Sequence, residues 1–291
     1  VSIELNKINR GMYLKWNILY NNNNKLIAPI ISRYYIYRKN MEETDSPSLG
    51  NFRVLYLVTQ LIGGTLVILM GCWISIHLGG FGWQSNPKLE FNWHPLLMTI
   101  GLIYLYGNSI LIYRGLRRTR KKQLKLLHAS IHGGSFILTV VALITVFDSH
   151  NLADKPIPNM YSLHSWLGLS AVILFSCQWL GGFILYLLPG MKENYKKTAM
   201  PYHVYFGLMA FVLAVTSALL GLTEKAIFSM KDNYANLPNS ALMVNVMGVL
   251  MVVFGSLVVY LSTESTYKRL PLPEDAILLT EILLLAKRKY I

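Results

Sequence analysis

One run of mostly apolar residues constrains the fold of this chain more than any other feature. It extends from Phe91 to Arg114 and reads FNWHPLLMTIGLIYLYGNSILIYR. About twenty apolar residues at 1.5 Å each cross the roughly 30 Å hydrocarbon core of a bilayer as one helix. Similar runs recur along the chain, so the sequence predicts six membrane-spanning helices. Their predicted bounds are Val54–Ile76, Trp93–Tyr113, Leu126–Phe147, Leu163–Leu188, His203–Thr223 and Ala241–Leu261.

The composition agrees with an all-α integral membrane protein. Of the 291 residues, 53% are hydrophobic and 14% are charged, whereas soluble domains carry about 25% charged residues. The net charge of +13 would suggest a nucleic-acid partner in a soluble protein. Here the loop positions of the charges explain it, and no nucleic acid is expected. The only cysteines, Cys72 and Cys177, lie inside apolar runs, which excludes a disulfide framework, a cysteine zinc site and a covalently attached haem.

Basic residues predict the orientation of these helices. The loop between the second and third helices carries seven of them between positions 114 and 125. Cytoplasmic loops of membrane proteins are enriched in Lys and Arg, so this loop and both termini are expected in the cytoplasm. The opposite side carries only Lys88, Lys155, Lys225 and Lys231.

The chain divides into three predicted segments: a cytoplasmic extension (1–53), a six-helix unit (54–262) and a cytoplasmic tail (263–291). Residues 1–40 contain the Asn21–Asn24 run and lack helical periodicity. We interpret them as translated upstream sequence before a natural start at Met41; the alternatives are a disordered tail or a targeting peptide.

Four predicted helices carry a histidine near their first turn, and an intramembrane histidine is a functional candidate by default. The predicted orientation places His94 and His164 on the non-cytoplasmic side, and His128 and His203 on the cytoplasmic side. Two histidines at one depth can supply both axial nitrogens of one haem iron. The pattern predicts two non-covalent b-type haems about 20 Å apart. His132 follows His128 by four residues on the same helical face, and spacing alone does not choose between them.

A second reading of the histidines belongs to another functional class. A metal-ion or proton transporter could use intramembrane histidines without any haem. A haem-bearing relative of NADPH oxidases is disfavoured, because no Gly-x-Gly-x-x-Gly motif opens a strand–helix unit.

Several motifs resemble the eukaryotic cytochrome b561 family over about Phe52–Lys268. In chain order they are FNWHPLLMTIGLIYLYG, LLHASIH, VFDSHN, NMYSLHSWLG, LLPG, MPYHVYFG and GLTEKAIF. The resemblance implies a central four-helix bundle that holds two haems b, and a homodimer. It also implies electron transfer from cytoplasmic ascorbate to a non-cytoplasmic acceptor, either monodehydroascorbate or ferric iron.

The same resemblance implies the role of individual residues. The outer haem iron would be bound by His94 and His164, and the inner one by His128 and His203. An arginine in some relatives matches Lys196, and lysine keeps the charge but loses the bidentate fork. The remaining implied contacts are Arg114, Lys121 and Lys268 at the inner haem, Asn159, Met160, Tyr161, Ser162 and Glu224 at the outer haem, Lys121, Lys125 and Lys196 at cytoplasmic ascorbate, and His150 at the outer acceptor or a ferric ion.

The tail suggests a destination among endosome or lysosome, secretory vesicle and plasma membrane. Residues Glu274 to Leu279 resemble the acidic dileucine signal that sorts membrane proteins to endosomes and lysosomes. The alternative is an amphipathic segment, Asp275–Ala286, that lies on the membrane surface.

Overall fold

The structure is a computed structural model, and it describes residues 48–117 and 119–269. The described residues from Phe52 onward cluster as one compact unit, and the description below concerns that unit. The predictions for residues 1–40 and for the dileucine segment at 274–279 lie outside the described residues.

The described residues form helices and no strand, and six helical spans are long and apolar enough to cross a membrane. This confirms the predicted all-α fold with six transmembrane helices. The second span is a composite of α2 (Pro87–Glu90), α3 (Trp93–Met98), a π-helix at Thr99–Leu105 and α4 (Tyr106–Gly115). The α-helices are α1 (Ser48–His77), α2 (Pro87–Glu90), α3 (Trp93–Met98), α4 (Tyr106–Gly115), α5 (Lys121–Asn151), α6 (Leu163–Tyr186), α7 (Glu193–Met230) and α8 (Asn239–Thr263), with short 3-10 helices at Lys231–Asn236 and Ser265–Tyr267.

The largest difference from the predicted bounds concerns α7. The sequence predicts a helix over His203–Thr223, but α7 has 38 residues and runs from Glu193 to Met230. Apolar composition marks only the part of a helix that lies in hydrocarbon. The backbone continues as helix through polar flanks, because intrahelical hydrogen bonds satisfy its polar groups there as well.

The four spans that carry the candidate histidines form a closed ring. The second span packs on α5, α5 on α6, α6 on α7, and α7 on the second span again. Outside this ring, α8 packs on α7 and α4, and α1 is fixed by side chains such as Trp73, whose Nε1 donates to Ser240 Oγ at 2.9 Å. We call the end with loops 78–92, 152–162 and 231–238 the His94 end, and the opposite end the His128 end.

The π-helix holds the second span close to α5. The Oγ of Ser135 in α5 donates to the carbonyl of Gly101 at 2.6 Å. A Cβ on Gly101 would come within 3.3 Å of the Ser135 carbonyl oxygen and of Leu138 Cβ. A glycine at this position therefore permits the close approach. The second span touches α5 on both sides of the π-helix, so residues at its two ends reach the same helix.

The centre of the ring is an aromatic cluster. Tyr106, Phe175 and Phe211 are buried, with ring centroids of Tyr106 5.0 Å from Phe175 and 5.5 Å from Phe211. The hydroxyl of Tyr106 donates to the Gly207 carbonyl at 2.7 Å, which satisfies a buried polar group.

Arginines at the His128 end hold the chain that follows α8. Arg114 donates through Nη1 to the Glu264 carbonyl at 2.7 Å and through Nη2 to the Ser262 carbonyl at 2.5 Å. Arg117 Nη1 donates to the Tyr267 carbonyl at 2.8 Å. The last carbonyls of a helix lack intrahelical partners, so Arg114 satisfies groups that α8 leaves open. This arginine clasp ties residues 262–267 to the end of α4.

Candidate functional site

The structure brings the four predicted histidines together in two pairs. The ring centroids of His94 and His164 lie 6.1 Å apart with planes at 87°. Those of His128 and His203 lie 6.3 Å apart with planes at 73°. A metal binds an imidazole nitrogen at about 2 Å, so two imidazoles on opposite sides of one metal have centroids roughly 6 Å apart. Both pairs therefore have the spacing that a shared metal ion requires.

A serine on a neighbouring helix holds one histidine of each pair. The Nδ1 of His128 lies 2.9 Å from the Ser109 carbonyl, and Ser109 Oγ donates to the His128 carbonyl at 3.1 Å. The Nδ1 of His164 lies 2.8 Å from the Ser217 carbonyl, and Ser217 Oγ donates to the His164 carbonyl at 3.0 Å. A carbonyl only accepts, so Nδ1 carries the proton in both rings. The lone pair is then on Nε2, where a metal can bind it.

The other two histidines are positioned by different contacts. The Nδ1 of His94 lies 3.1 Å from the Ala142 carbonyl of α5, which again favours a proton on Nδ1. The His203 ring lies against α6 at Gly182, where a Cβ would come within 3.0 Å of His203 Cε1. The equivalent contact at the other pair is closer, since a Cβ on Gly221 would lie 2.6 Å from His164 Cε1.

The donor set fits a haem better than a metal site made by protein alone. Within residues 48–117 and 119–269, no group of three or more His, Cys, Asp or Glu side chains could hold a metal ion. Each pair offers two nitrogens, and a porphyrin supplies the other four ligands of a six-coordinate iron. A cavity of about 680 Å³ opens beside His94 and His164, within the usual size of cofactor sites.

His132 lies beside the His128 pair. Its side chain is only 6% exposed, and its Nδ1 has no hydrogen-bond partner among the described residues. The ring packs edge-on against His128 at 4.5 Å and against Tyr106 at 4.8 Å. Unlike His128, it has no serine that fixes its tautomer.

Two polar side chains at the His94 end are connected at the cavity wall. The Nδ1 of His150 lies 3.1 Å from Asn159 Oδ1, and Asn159 Nδ2 donates to Asn151 Oδ1 at 2.9 Å. Because Asn159 Oδ1 can only accept, Nδ1 of His150 donates to it, and Nε2 is left as an acceptor or metal ligand. Both His150 and Asn159 line the cavity.

The start of α6 brings Ser162 and Glu224 together. Ser162 and Ser165 form a capping box, which satisfies the backbone N–H groups of both residues. The N–H groups of Leu163 and His164 remain for an anion. Ser162 Oγ donates to Glu224 Oε2 at 3.2 Å. Burial and the Glu224 carboxylate raise the pKa of Tyr161, so its hydroxyl stays protonated and donates to that carboxylate.

Lys225 lies in the same cavity. In the sequence it served only to predict the orientation of the helices in the membrane. Lys225 Nζ is 4.0 Å from the ring centroid of Phe91, and the Phe91 ring is 6.1 Å from the His94 ring. Lys225 is half-buried, and Lys88 is exposed on the same cavity wall.

Three of the predicted ascorbate contacts cluster at the His128 end. The charges of Lys121 and Lys196 act on Lys125, opposed by that of Glu193. Lys125 Nζ is 6.0 Å from the Tyr186 ring centroid, and the Tyr186 ring is 5.5 Å from the His203 ring. The sequence did not identify Tyr186, which connects the lysine cluster to the histidine pair.

The two remaining predicted contacts differ in their surroundings. Arg114 uses two of its five donors in the arginine clasp. Lys268 is exposed, and its carbonyl accepts from Arg117 Nη2 at 3.1 Å.

Sequence comparisons agree with this architecture. The profile of the eukaryotic cytochrome b561 family matches residues 93–229. The chain is 43% identical over 220 residues to the plasma membrane ascorbate-dependent reductase CYBRD1 of Xenopus tropicalis, covering 74% of this chain and 77% of that protein. It is 40% identical over 211 residues to the human transmembrane ascorbate-dependent reductase CYB561, covering 72% and 82%. The pig CYB561 protein is 39% identical over 224 residues, covering 77% and 87%.

Proposed function

This chain belongs to the eukaryotic cytochrome b561 family, and on that premise we propose that it is a transmembrane oxidoreductase. It takes electrons from ascorbate at the His128 end and delivers them at the His94 end through two haems b. The acceptor is monodehydroascorbate or ferric iron. The observation that carries the proposal is the pair of histidine pairs, with centroid separations of 6.1 and 6.3 Å.

His94 and His164 hold one haem in this proposal, and His128 and His203 hold the other. When bound, each haem supplies one-electron iron chemistry. The protein orients the ligands: the Ser109 and Ser217 carbonyls keep the protons on Nδ1 of the partner histidines, so each Nε2 lone pair would be available to a haem iron. His132 is left as a neighbour of the site.

The cavity at the His94 end supplies further haem contacts in the proposal. Asn159, Met160, Tyr161, Ser162 and Glu224 line it. The free N–H groups at the start of α6 would hold a haem propionate, while Glu224 is stabilised by the hydroxyls of Ser162 and Tyr161. At the other end, Arg114, Lys121 and Lys268 are proposed contacts of the second haem.

The lysine cluster binds ascorbate. Ascorbate is an anion at neutral pH, so Lys121, Lys125 and Lys196 raise its concentration at the His128 end by electrostatic attraction. Tyr186 lies between Lys125 and His203 and forms the wall against which the donor packs. We infer from the basic loops that this end faces the cytoplasm, with both termini on the same side. We also propose that the protein acts as a homodimer.

Two measurements on the purified protein test this function. We expect two haems b per chain, with a reduced-minus-oxidised visible spectrum typical of bis-histidine ligation. In oriented vesicles, ascorbate on the His128 side should reduce the haems, and an acceptor on the opposite side should reoxidise them. A protein without haem would contradict the proposal and favour a transporter that uses its intramembrane histidines directly.

A further inference from the structure

We propose that Lys225, seated on the ring of Phe91, and Lys88 form a binding site for an anionic electron acceptor at the mouth of the cavity beside His94. The inference rests on the proposed function and narrows its acceptor. The acceptor is an oxyanion, either a ferric ion complexed by carboxylates or the monodehydroascorbate anion.

The position of Lys225 suits this role. Its Nζ lies 4.0 Å from the Phe91 ring centroid, and that ring is 6.1 Å from the ring of His94. All three residues line the same cavity of about 680 Å³. An anion bound to Lys225 Nζ would therefore be separated from His94, a proposed ligand of the haem at this end, only by the Phe91 ring.

Among the described residues, the protein supplies no counter-ion to Lys225. Its charged neighbour is a second cation, Lys88, and no carboxylate of residues 48–117 and 119–269 forms an ion pair with it. Glu224, the preceding residue, is bonded to the hydroxyl of Ser162. Partial burial of a cation without a protein counter-ion costs desolvation free energy, and an anionic ligand would offset that cost.

The simpler alternative is that Lys225 binds no ligand and only extends its ammonium to water at the end of a span. The contact with Phe91 argues against it, because the ammonium is held over a ring within the cavity. A cation–π contact of this kind contributes about 0.5–2 kcal/mol and still leaves the N–H groups free to bind an anion.

The site takes part in a one-electron transfer. A ferric carboxylate complex accepts one electron and becomes ferrous, with no bond to the protein formed or broken. Monodehydroascorbate accepts one electron and one proton from the solvent and becomes ascorbate. In both cases the electron comes from ascorbate at the His128 end. A bare hydrated ferric cation would be repelled by Lys88 and Lys225.

The test compares oxidants of opposite charge on haem-loaded protein in ascorbate-filled vesicles with the His94 end facing out. Ferricyanide and ferric citrate are the anions, and hexaammineruthenium(III) is the cation. For Lys225→Gln we expect a KM about fivefold higher for both anions, a KM for the cation that is unchanged or lower, and a difference that shrinks as salt rises. Lys225→Arg should retain most of the wild-type KM. Lys231→Gln, which removes an exposed charge from the same face outside the cavity, should change nothing.

Binding without turnover gives a second readout. Redox-inert gallium(III) citrate should bind the oxidised wild-type protein in calorimetry, and bind Lys225→Gln several-fold more weakly. Equal affinities would overturn the proposal, as would equal KM changes for oxidants of both charges. A lowered midpoint potential of one haem in Lys225→Gln, with no dependence on oxidant charge, would show instead that the lysine serves a haem propionate. Failure of ascorbate to reduce the wild-type haems would count against the proposed function rather than this site.

Discussion

The two ends of the bundle repeat one arrangement of histidines with its serine and glycine contacts, and they differ in the residues at their mouths. The ring separations are 6.1 and 6.3 Å, and each pair has one serine partner and one glycine contact. At the His128 end, Lys121, Lys125 and Lys196 form a cluster, and Lys125 lies 6.0 Å from the Tyr186 ring. At the His94 end, a deep cavity combines two lysines with Glu224 and His150. The protein thus repeats the histidine pair that would hold a metal. The different residues at the two mouths would determine separately which electron donor or acceptor binds at each side.

The largest effects should come from the histidines themselves, and they test whether the two sites are independent. We expect His94→Ala and His164→Ala to remove the same haem, and His128→Ala and His203→Ala to remove the other. Each variant should contain one haem per chain by haem-to-protein ratio, and a redox titration should identify which one remains. If His94→Ala and His128→Ala removed one shared haem, the pairing would be wrong.

His132→Ala is the matched control for His128→Ala, because it removes a buried imidazole one helical turn away. We expect both haems to stay, since the His132 ring packs against His128 rather than facing a second histidine across a gap. A ratio near one haem per chain in this variant would reassign the ligand.

A smaller effect should distinguish the two glycine contacts. A methyl group at Gly221 would lie 2.6 Å from His164 Cε1, and one at Gly182 would lie 3.0 Å from His203 Cε1. Overpacking of this kind costs about 1–3 kcal/mol, so Gly221→Ala should weaken the His94-end haem more than Gly182→Ala weakens the other. The measurement is haem retention during thermal unfolding.

Gly181→Ala is the control for both glycine variants, because nothing lies within 4 Å of its added Cβ. Its haem content and stability should match the wild type. A larger loss in Gly182→Ala than in Gly221→Ala would refute the ranking.

The lysine cluster at the His128 end should affect the donor far more than the haems, and the haem spectrum should stay mostly intact although Lys121 is also a proposed haem contact. We expect Lys121→Ala combined with Lys125→Ala to raise the KM for ascorbate about tenfold, and the effect to decrease with salt as screening increases. Lys122→Ala removes an equal charge from an exposed neighbouring position and serves as control. An unaltered dependence of haem reduction on ascorbate concentration in the double variant would exclude this cluster as the donor site.

The smallest predicted effect separates the serine partners. Ser109→Ala and Ser217→Ala each remove a hydroxyl but leave the carbonyl that accepts from Nδ1. A lost hydrogen bond of about 0.5–1.5 kcal/mol corresponds to about 20–60 mV in a one-electron potential. Ser109→Ala should shift only the haem of the His128 pair, and Ser217→Ala only the other. Shifts of both potentials in either variant would contradict two separate sites.

The fold and the pairing of the histidine rings could be predicted because the bilayer restricts the length and position of each helix. Apolar length marks each span, and four histidines at matching depths leave few ways to pair. The partners of those histidines could not be predicted, because Ser109 and His128 lie 19 residues apart on different helices and Ser217 and His164 lie 53 apart. No local pattern signals such a contact.

The functions of single charged residues were also hidden from the sequence. Positive charge near a membrane is expected from topology alone, so Lys225 could not be distinguished from Lys155 or Lys231 until its contact with Phe91 was visible. The role of Arg114 was equally unpredictable, because two of its donors hold the end of α8. These partners lie 148 and 150 residues away in the sequence. The extent of α7 was missed for a different reason, because its polar flanks lack the apolar signal.

The proton held on Nδ1 of His128 and of His164 has a consequence for bioenergetics. In the proposed function, a ligand whose proton is committed to a carbonyl does not gain or lose one when the charge at the metal changes, so these two histidines supply no proton to accompany an electron that crosses between the two ends. The crossing is then electrogenic. Each electron moved across the full membrane gains or loses about 2.3 kcal/mol per 100 mV of membrane potential, so the voltage across the host membrane joins the concentrations of donor and acceptor in setting the direction of net flow.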